Sequence, residues 1–535
     1  MRKYLSKFLN GKNSLSAASL ILIITLFLSN ILGLIRDHFL TQKIPTDVLS
    51  VYYAAFRIPD LIFNVLILGA ISAAFIPVFS SLISQKKSKE AWEVANSVIN
   101  IAIVGLIFSC IILALIMPAI VGYFVPGFDQ EKQNLTIKLA RVMLASPVFF
   151  GLSYIFGAIL NSFKRFAVYS LAPLIYNVSI IAGTLLFADK YSVTGVALAV
   201  VAGAFLHMAI QIPVSIKMGF RWQVLLDYKN TFVRKIGILM VPRAIGLGAN
   251  QILLIIFTSI ASALGGSAVA IYNLADNIQT MPMVVFGTSF AMAIFPTLSE
   301  QVSQRNFEQF GYYFNKSLRS ILFFMLPIVF GIYLLKMQVV RLILGSGHFG
   351  WSQTNDTART LGFFAIALVF TSIIPLLARC FYALHNTKIP MYVTIVTVAI
   401  SAVIAYILAP KQGVSGLAIA YSIGSFFNAL ILYLILRKKV IFDEISLVWY
   451  TLKVLVASLI MAIALQETIF LTELFVDKTH VVGVLMQTAM AIAVGILIYL
   501  LLAWIFNFEE MASIKIILNR LTGRSIVDNS QEPGK

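Results

Sequence analysis

Phe75-Ile-Pro77-Val-Phe-Ser80-Ser-Leu-Ile-Ser84-Gln85 returns later in the chain as Ile294-Phe-Pro296-Thr-Leu-Ser299-Glu-Gln-Val-Ser303-Gln304. The two stretches stand about 219 positions apart throughout, the mark of an internal structural repeat. A second pair closes each copy. Gly195-Val-Ala-Leu-Ala aligns with Gly416-Leu-Ala-Ile-Ala, and Gly203 and His207 align with Gly424 and Asn428, about 221 positions on. With small gaps, Asp60 pairs with Asp276 and Gly69 with Gly287.

What repeats is a set of apolar runs. The chain has 535 residues, 60% apolar and only 12% charged, where soluble domains carry about 25% charged residues. So few charges cannot cover a soluble protein of this size. Runs long enough for a membrane span, about 20 apolar residues, occur about 14 times. They cover 16–36, 48–82, 94–122, 138–161, 166–188, 192–214, 236–262, 268–297, 316–335, 358–384, 390–409, 413–436, 449–471 and 481–506. The fold class is an all-α polytopic membrane protein of two pseudo-symmetric six-helix lobes plus two C-terminal helices. Six is even, so both copies enter the bilayer from the same side, related by an axis along its normal. The expected divisions are an N-terminal lobe 1–220, a C-terminal lobe 221–440, an appended pair 441–508 and a tail 509–535. A short amphipathic stretch, Met511–Leu521, opens that tail.

Basic residues fall in alternate loops: Lys86, Lys87 and Lys89, then Lys164 and Arg165, then Lys217, Arg221, Lys229, Arg234 and Lys235, and again at Arg437–Lys439. The intervening loops are basic-poor, so both termini are expected in the cytoplasm. The same asymmetry accounts for the net charge of +18 without nucleic acid. Cys110 and Cys380 lie in apolar runs and imply no disulfide framework. The first apolar run is too long for a signal peptide and is read as a retained helix.

Charges inside the spans cost about 2.5–3.5 kcal/mol each on insertion scales, so each needs a reason. Arg36 and Asp37 end span 1; Asp47, Arg57 and Asp60 begin span 2; Arg243, Asp276 and Arg379 lie in spans 7, 8 and 10. Arg36 and Asp37 fit a snorkelling pair as well as a site. Arg57 and Asp60, one turn apart, fit an intrahelical pair. Arg243 follows Pro242 and fits either a plug for carbonyls freed by that proline or a bidentate phosphate ligand. Asp276 is expected to partner one of these arginines, Arg379 to anchor at the interface, and His207 to pack. The excess of arginine in a cleft between lobes calls for an anionic substrate, such as a lipid-linked pyrophosphate, over a cationic drug. Sequences of the HExxH, GxSxG, DDxxD and Walker A types do not occur, so no enzyme, metal or cofactor is expected. Membrane potential acting on a charged cavity, worth about 2.3 kcal/mol per charge per 100 mV, would serve as an energy source.

At these residues the sequence resembles the MurJ (MviN) lipid II flippases of the MOP transporter superfamily. The matching stretches are Ile31-Leu-Gly-Leu-Ile-Arg36-Asp37, Thr46-Asp47, Phe56-Arg-Ile-Pro59-Asp-Leu, Gly69-Ala-Ile-Ser72-Ala-Ala-Phe75-Ile-Pro77, and Pro126-Gly-Phe128. Gly157-Ala-Ile-Leu-Asn161, Arg165-Phe166, Ala172-Pro173 with Asn177, Tyr272-Asn-Leu-Ala-Asp276, Phe295-Pro296-Thr-Leu-Ser299 and Phe381-Tyr-Ala with Asn386-Thr-Lys388 follow in order, from about residue 15 to about 440. The resemblance implies a multi-pass protein of the bacterial inner membrane, working as a monomer with membrane lipids and cell-wall synthesis proteins as partners. It implies transport of an undecaprenyl-pyrophosphate-linked peptidoglycan precursor between leaflets by alternating access, with arginines of helices 1, 2 and 8 holding the pyrophosphate and helices 13 and 14 grooving the lipid tail. Arg36, Asp37 and Asp47 match the family pattern. Asn30, Phe63-Asn64 and Asn277 stand where the family has arginines, and Leu68 where it has glutamate. Either Arg57 and Arg243 rebuild the anion site beside Asn30 and Asn277, or the chain moves another lipid-linked oligosaccharide or is a non-transporting scaffold.

Overall fold

The computed structural model describes residues 15–68, 75–475 and 481–511. It is a bundle of helices: α1 Leu15–Lys43, α2 Thr46–Ile62 running into a π-helical turn Phe63–Leu68, α3 Ile76–Ser84, α4 Ser88–Phe124, α5 Gln130–Met143, α6 Ser146–Ser162, α7 Phe166–Ala209 and α8 Ile212–Lys217. An extended strap, 218–230, leads to α9 Thr231–Ala263, α10 Ala268–Pro282 with a π-helical turn Met283–Thr288, α11 Ser289–Ser303, α12 Phe307–Leu344, α13 Trp351–Ala383, α14 Lys388–Gln412 and α15 Val414–Arg437. Two further helices, α16 Glu444–Thr472 and α17 Val481–Ile505, pack on each other and on α12. Among the described residues, every predicted apolar run falls on helix. Among the described residues eleven helices are long and apolar enough to cross a membrane, which is compatible with fourteen spans because Phe166–Lys217 alone carries two of the runs. The stretch Met511–Leu521, but for its first residue, lies outside the described residues, as does Gly69.

The repeat is written into the backbone. Non-glycine residues with positive φ occur at Lys86 and Arg305, at Lys164 and His385, and the break at Ser192 (φ 48) matches Gly413 (φ 64). These pairs stand about 219 to 221 positions apart, as the sequence anchors do. The two π-helical turns share the spacing, at about 220. That spacing sets Tyr272 against Tyr52 and Asn277 against Arg57, so Asp60 and Asp276 are offset by about one helical turn from true equivalence. π-Helical turns are rare and frequent at functional sites.

Local chemistry sets several helix ends. Asp129, Asn230, Asn306 and Asp443 each accept a backbone N–H of the first turn of the helix they precede. Pro118 inside α4 has no N–H for the Ala114 carbonyl, and Arg141 Nε donates to that carbonyl at 2.9 Å instead. This is the device expected at Pro242–Arg243, seen at another proline. At the other end of the bundle Arg319 on α12 donates to Ser446 Oγ at 2.5 Å, and Glu510 accepts from Tyr450 (2.6 Å) and Ser320 (3.2 Å). The start of the C-terminal tail is thereby tied to α12 and α16.

Ser192 and Gly413 hold the same non-helical conformation, ψ −142 and −146, in a region that costs a side chain of order 1–3 kcal/mol. Ser192→Gly is therefore expected to raise the unfolding temperature of the purified protein, and Gly413→Ser to lower it. Equal unfolding temperatures for all three would show that this strain is relieved in the native protein.

Candidate functional site between the lobes

The charged residues predicted to line a cleft come from α1, α2 and α10, which meet where the first lobe faces the second. Arg36 lies seven residues before the end of α1, about 10 Å along its axis, and Arg57 eleven residues into α2, about 16 Å. Both are therefore inside the span. Asp37 is 1% exposed and its carboxylate is fully engaged. Oδ1 accepts Arg36 Nε at 3.0 Å and Nη2 at 2.8 Å, with Tyr53 Oη at 3.4 Å, and Oδ2 accepts Asn277 Nδ2 at 2.7 Å. Arg36 Nη1 also donates to Asn177 Oδ1 at 3.3 Å, and Asn177 donates back to Ser29. Arg36 keeps a fifth of its side-chain surface open toward the cavity, unlike its partner. It is held in place by α7 while remaining reachable.

Arg57 does not pair with Asp60. It reaches across the seam, Nη2 donating to Asn273 Oδ1 and Nε to Thr258 Oγ1 at 3.2 Å. Its direct acceptors are a neutral amide and a hydroxyl, and no carboxylate among the described residues forms an ion pair with it. Asp276 likewise pairs with no arginine there; its Oδ1 accepts Gln279 Nε2 at 2.8 Å, three residues on in its own helix. Asp47 stands apart at the start of α2, half-exposed and bridged to Lys132 at 3.3 Å. Asn30 donates to the Leu26 carbonyl of its own helix at 2.8 Å. Arg243 lies in α9, and its side chain lies outside the described residues. Phe63 packs its ring on Phe150 and Tyr154, both at 5.2 Å, and Asn64 donates to the Asp60 carbonyl. His207 is a packing residue: Nδ1 meets Ser153 Oγ at 2.6 Å and the ring stacks on Tyr154.

Of the neutral half of this site the sequence reading named Asn277 and missed the rest. Asn277, Asn273 and Thr258 carry bonds between lobes, and so do Ser50, whose Oγ accepts Ala270 N at 3.0 Å, His38 with the Ile343 carbonyl at 2.7 Å, and Thr41 with the Leu344 carbonyl at 3.1 Å. The available signal was polar amides and hydroxyls inside apolar spans, which in lipid must find partners. Gly127 completes the seam: its N–H donates to Ser262 Oγ at 3.3 Å, and a Cβ there would run into the Ser262 carbonyl. Among the described residues, every hydrogen bond that joins helices of the two lobes lies toward the basic-poor end. Among them, none joins α3 to α11.

The family model that matches the chain is that of "Lipid II flippase MurJ", over residues 46–491. A "Probable lipid II flippase MurJ" of Rhizobium tropici is 28% identical over 514 residues, covering 92% of this chain and 94% of its own. A "Lipid II flippase MurJ" of Burkholderia cenocepacia is 26% identical, covering 78% and 82%. Among solved structures, "Lipid II flippase MurJ, inward closed conformation" superposes with a TM-score of 0.76 at 25% identity, covering 91% of this chain and 98% of that one. An inward-facing MATE family transporter of the MOP superfamily shares the fold, with a TM-score of 0.65 at 18% identity over 77% and 94%.

Removing one member of a buried ion pair leaves an unpaired charge and costs about 3–5 kcal/mol. Asp37→Ala should accordingly be destabilised far more than Asn277→Ala, which removes one bond between lobes and leaves Arg36 paired. In an Asn277→Ala background, Thr258→Cys should react faster with a membrane-impermeant maleimide than in the parent. Equal labelling rates would mean that the Asp37–Asn277 bond does not hold the seam shut.

Proposed function

Because the chain belongs to the lipid II flippase MurJ family, we propose that it carries lipid II, a polyprenyl-pyrophosphate-linked peptidoglycan precursor, from the inner to the outer leaflet of the bacterial inner membrane. It is a multi-pass transporter. With both termini in the cytoplasm, the basic-poor end, where hydrogen bonds join the lobes, faces outward, and cargo enters from the basic end at the inner leaflet. The observation that carries the reading is the Asp37 carboxylate shared between Arg36 in its own lobe and Asn277 in the other.

That sharing couples binding to movement. A pyrophosphate entering the cavity offers Arg36 a more highly charged, bidentate partner than Asp37 does. Arg57, with only neutral acceptors, gains from the same anion and gives up Asn273 and Thr258. The Arg57 guanidinium, turned to cargo, gives up bonds that close the outer end. Cargo thus binds the opening state more tightly than the closed one, the condition for a ligand to shift a conformational equilibrium. Arg243, at mid-depth of α9, is assigned to the same anion from the second lobe. Asn30, Asn277 and Asp276 line the path as neutral or self-satisfied groups, and Asp47 belongs to the outer mouth. Exposed apolar residues such as Ile463, Met486 and Met490 on α16 and α17 suit the polyprenyl chain.

Complementation of a bacterium depleted of its own lipid II flippase tests this. The wild-type chain should rescue growth, and Arg36→Ala and Arg243→Ala should each fail at normal membrane levels. Full rescue by both variants overturns the arginine site. No rescue by the wild type favours another lipid-linked oligosaccharide, the reading that the uncharged residues at 30, 63 and 277 would then support.

A further inference from the structure

On the flank of the first lobe, away from the seam, a pocket of about 550 Å³ opens between α4, α6, the end of α7 and the strap. Ile99, Ile103, Phe156, Met208 and Phe220 make its walls, and they are apolar throughout. The sole charge on the lining is Arg221, at the rim, next to Trp222. A pocket of this kind in a soluble protein would collapse or be filled. Here it faces the hydrocarbon, in the half of the bilayer nearest the basic loops.

The wall is preformed. The strap is irregular backbone lying against a membrane-spanning helix, and two buried asparagines one turn apart on α4 satisfy it. Asn96 Nδ2 donates to the Arg221 carbonyl at 3.1 Å and its Oδ1 accepts Gln223 N at 2.9 Å. Asn100 Nδ2 donates to the carbonyls of Gln223 (2.7 Å) and Leu225 (3.0 Å), and its Oδ1 accepts Trp222 Nε1 at 3.0 Å. Irregular backbone at membrane depth survives where protein satisfies it in this way. With its carbonyl clamped, Arg221 presents its guanidinium at a fixed place. Neither Arg221 nor Lys217, at the end of α8, takes part in an ion pair among the described residues.

An apolar chamber with one unpaired cation, Arg221, on its lining and a second, Lys217, next in the chain to lining residue Ile216 fits one molecule of defined chemistry. We propose that it takes an acyl chain of an anionic phospholipid from the leaflet at the basic end, with the headgroup phosphate on Arg221 and Lys217. Apolar walls favour a hydrocarbon chain, and basic residues near a membrane surface favour an anionic phosphate. The strap is the covalent link between the lobes, so the bound lipid sits under the segment that must accommodate their movement. The site is separate from the cargo cavity, and its test does not depend on which lipid-linked glycan is carried.

Purified full-length protein in detergent, titrated with phosphatidylglycerol bearing brominated acyl chains, should show quenching of Trp222 fluorescence, and Trp222→Phe should remove that part of the signal. Phosphatidylcholine with the same chains should need roughly tenfold more lipid for equal quenching. The surface variant Arg221→Gln/Lys217→Gln should erase that difference, and Ile103→Trp, filling the chamber, should weaken both lipids. Native mass spectrometry reads the same preference as retained lipid, independently of the fluorescence. Equal response to both headgroups in the parent, or no change in the double variant, overturns the proposal. Displacement of the phospholipid by undecaprenyl phosphate at equal concentration also overturns it, and assigns the chamber to the cargo's tail.

Discussion

A carboxylate buried in a membrane protein must be satisfied from the protein itself, and the satisfaction of Asp37 organises the centre of this one. Its two oxygens point in two directions, one into its own lobe at Arg36 and one across the seam at Asn277. Arg36 meets the charge within the lobe, and the Asn277 bond forms only while the lobes are in contact at this level. Ser50, Arg57, Thr41 and His38 extend the same logic, each meeting a polar group of the second lobe within the spans. The gathering of interlobe bonds at one end follows from where the polar side chains are placed along the spans.

The fold was legible because lipid simplifies the code. Apolar runs of span length mark helices whatever their partners, and the repeat spacing recurs in the backbone at Lys86 and Arg305 and at Ser192 and Gly413. The site was half legible. Arg36, Asp37 and Arg57 stood out because charges in spans are rare, yet their partners did not. Arg57 and Asn273 are 216 positions apart in sequence, and nothing local distinguishes Asn273 from any helix amide; Asp60, one turn away in the same helix, was the natural but wrong partner. Asn96 and Asn100 passed unremarked for the same reason. Their role lies in backbone they satisfy more than a hundred residues later, which periodicity and hydropathy do not encode.

The departures from the family pattern have local explanations. Phe63 sits in an aromatic cluster with Phe150, Tyr154 and His207, where a guanidinium would have to displace rings. Asn277 still does what an interlobe donor must, by reaching Asp37, but brings no charge. A site built on fewer arginines holds its anion with fewer contacts and releases it with less resistance, a trade available to any carrier whose cargo must leave on the far side.

The paired π-helical turns set the geometric scale of the stroke. Beyond Met283–Thr288, α11 is a rigid arm of 15 residues, about 22 Å long, that no interlobe hydrogen bond restrains among the described residues. A tilt of about 15° at the turn carries its tip through roughly 6 Å, about the width of half a helix. Bending at a turn of this kind would shift the basic end of the second lobe without a wholesale rotation of the lobes.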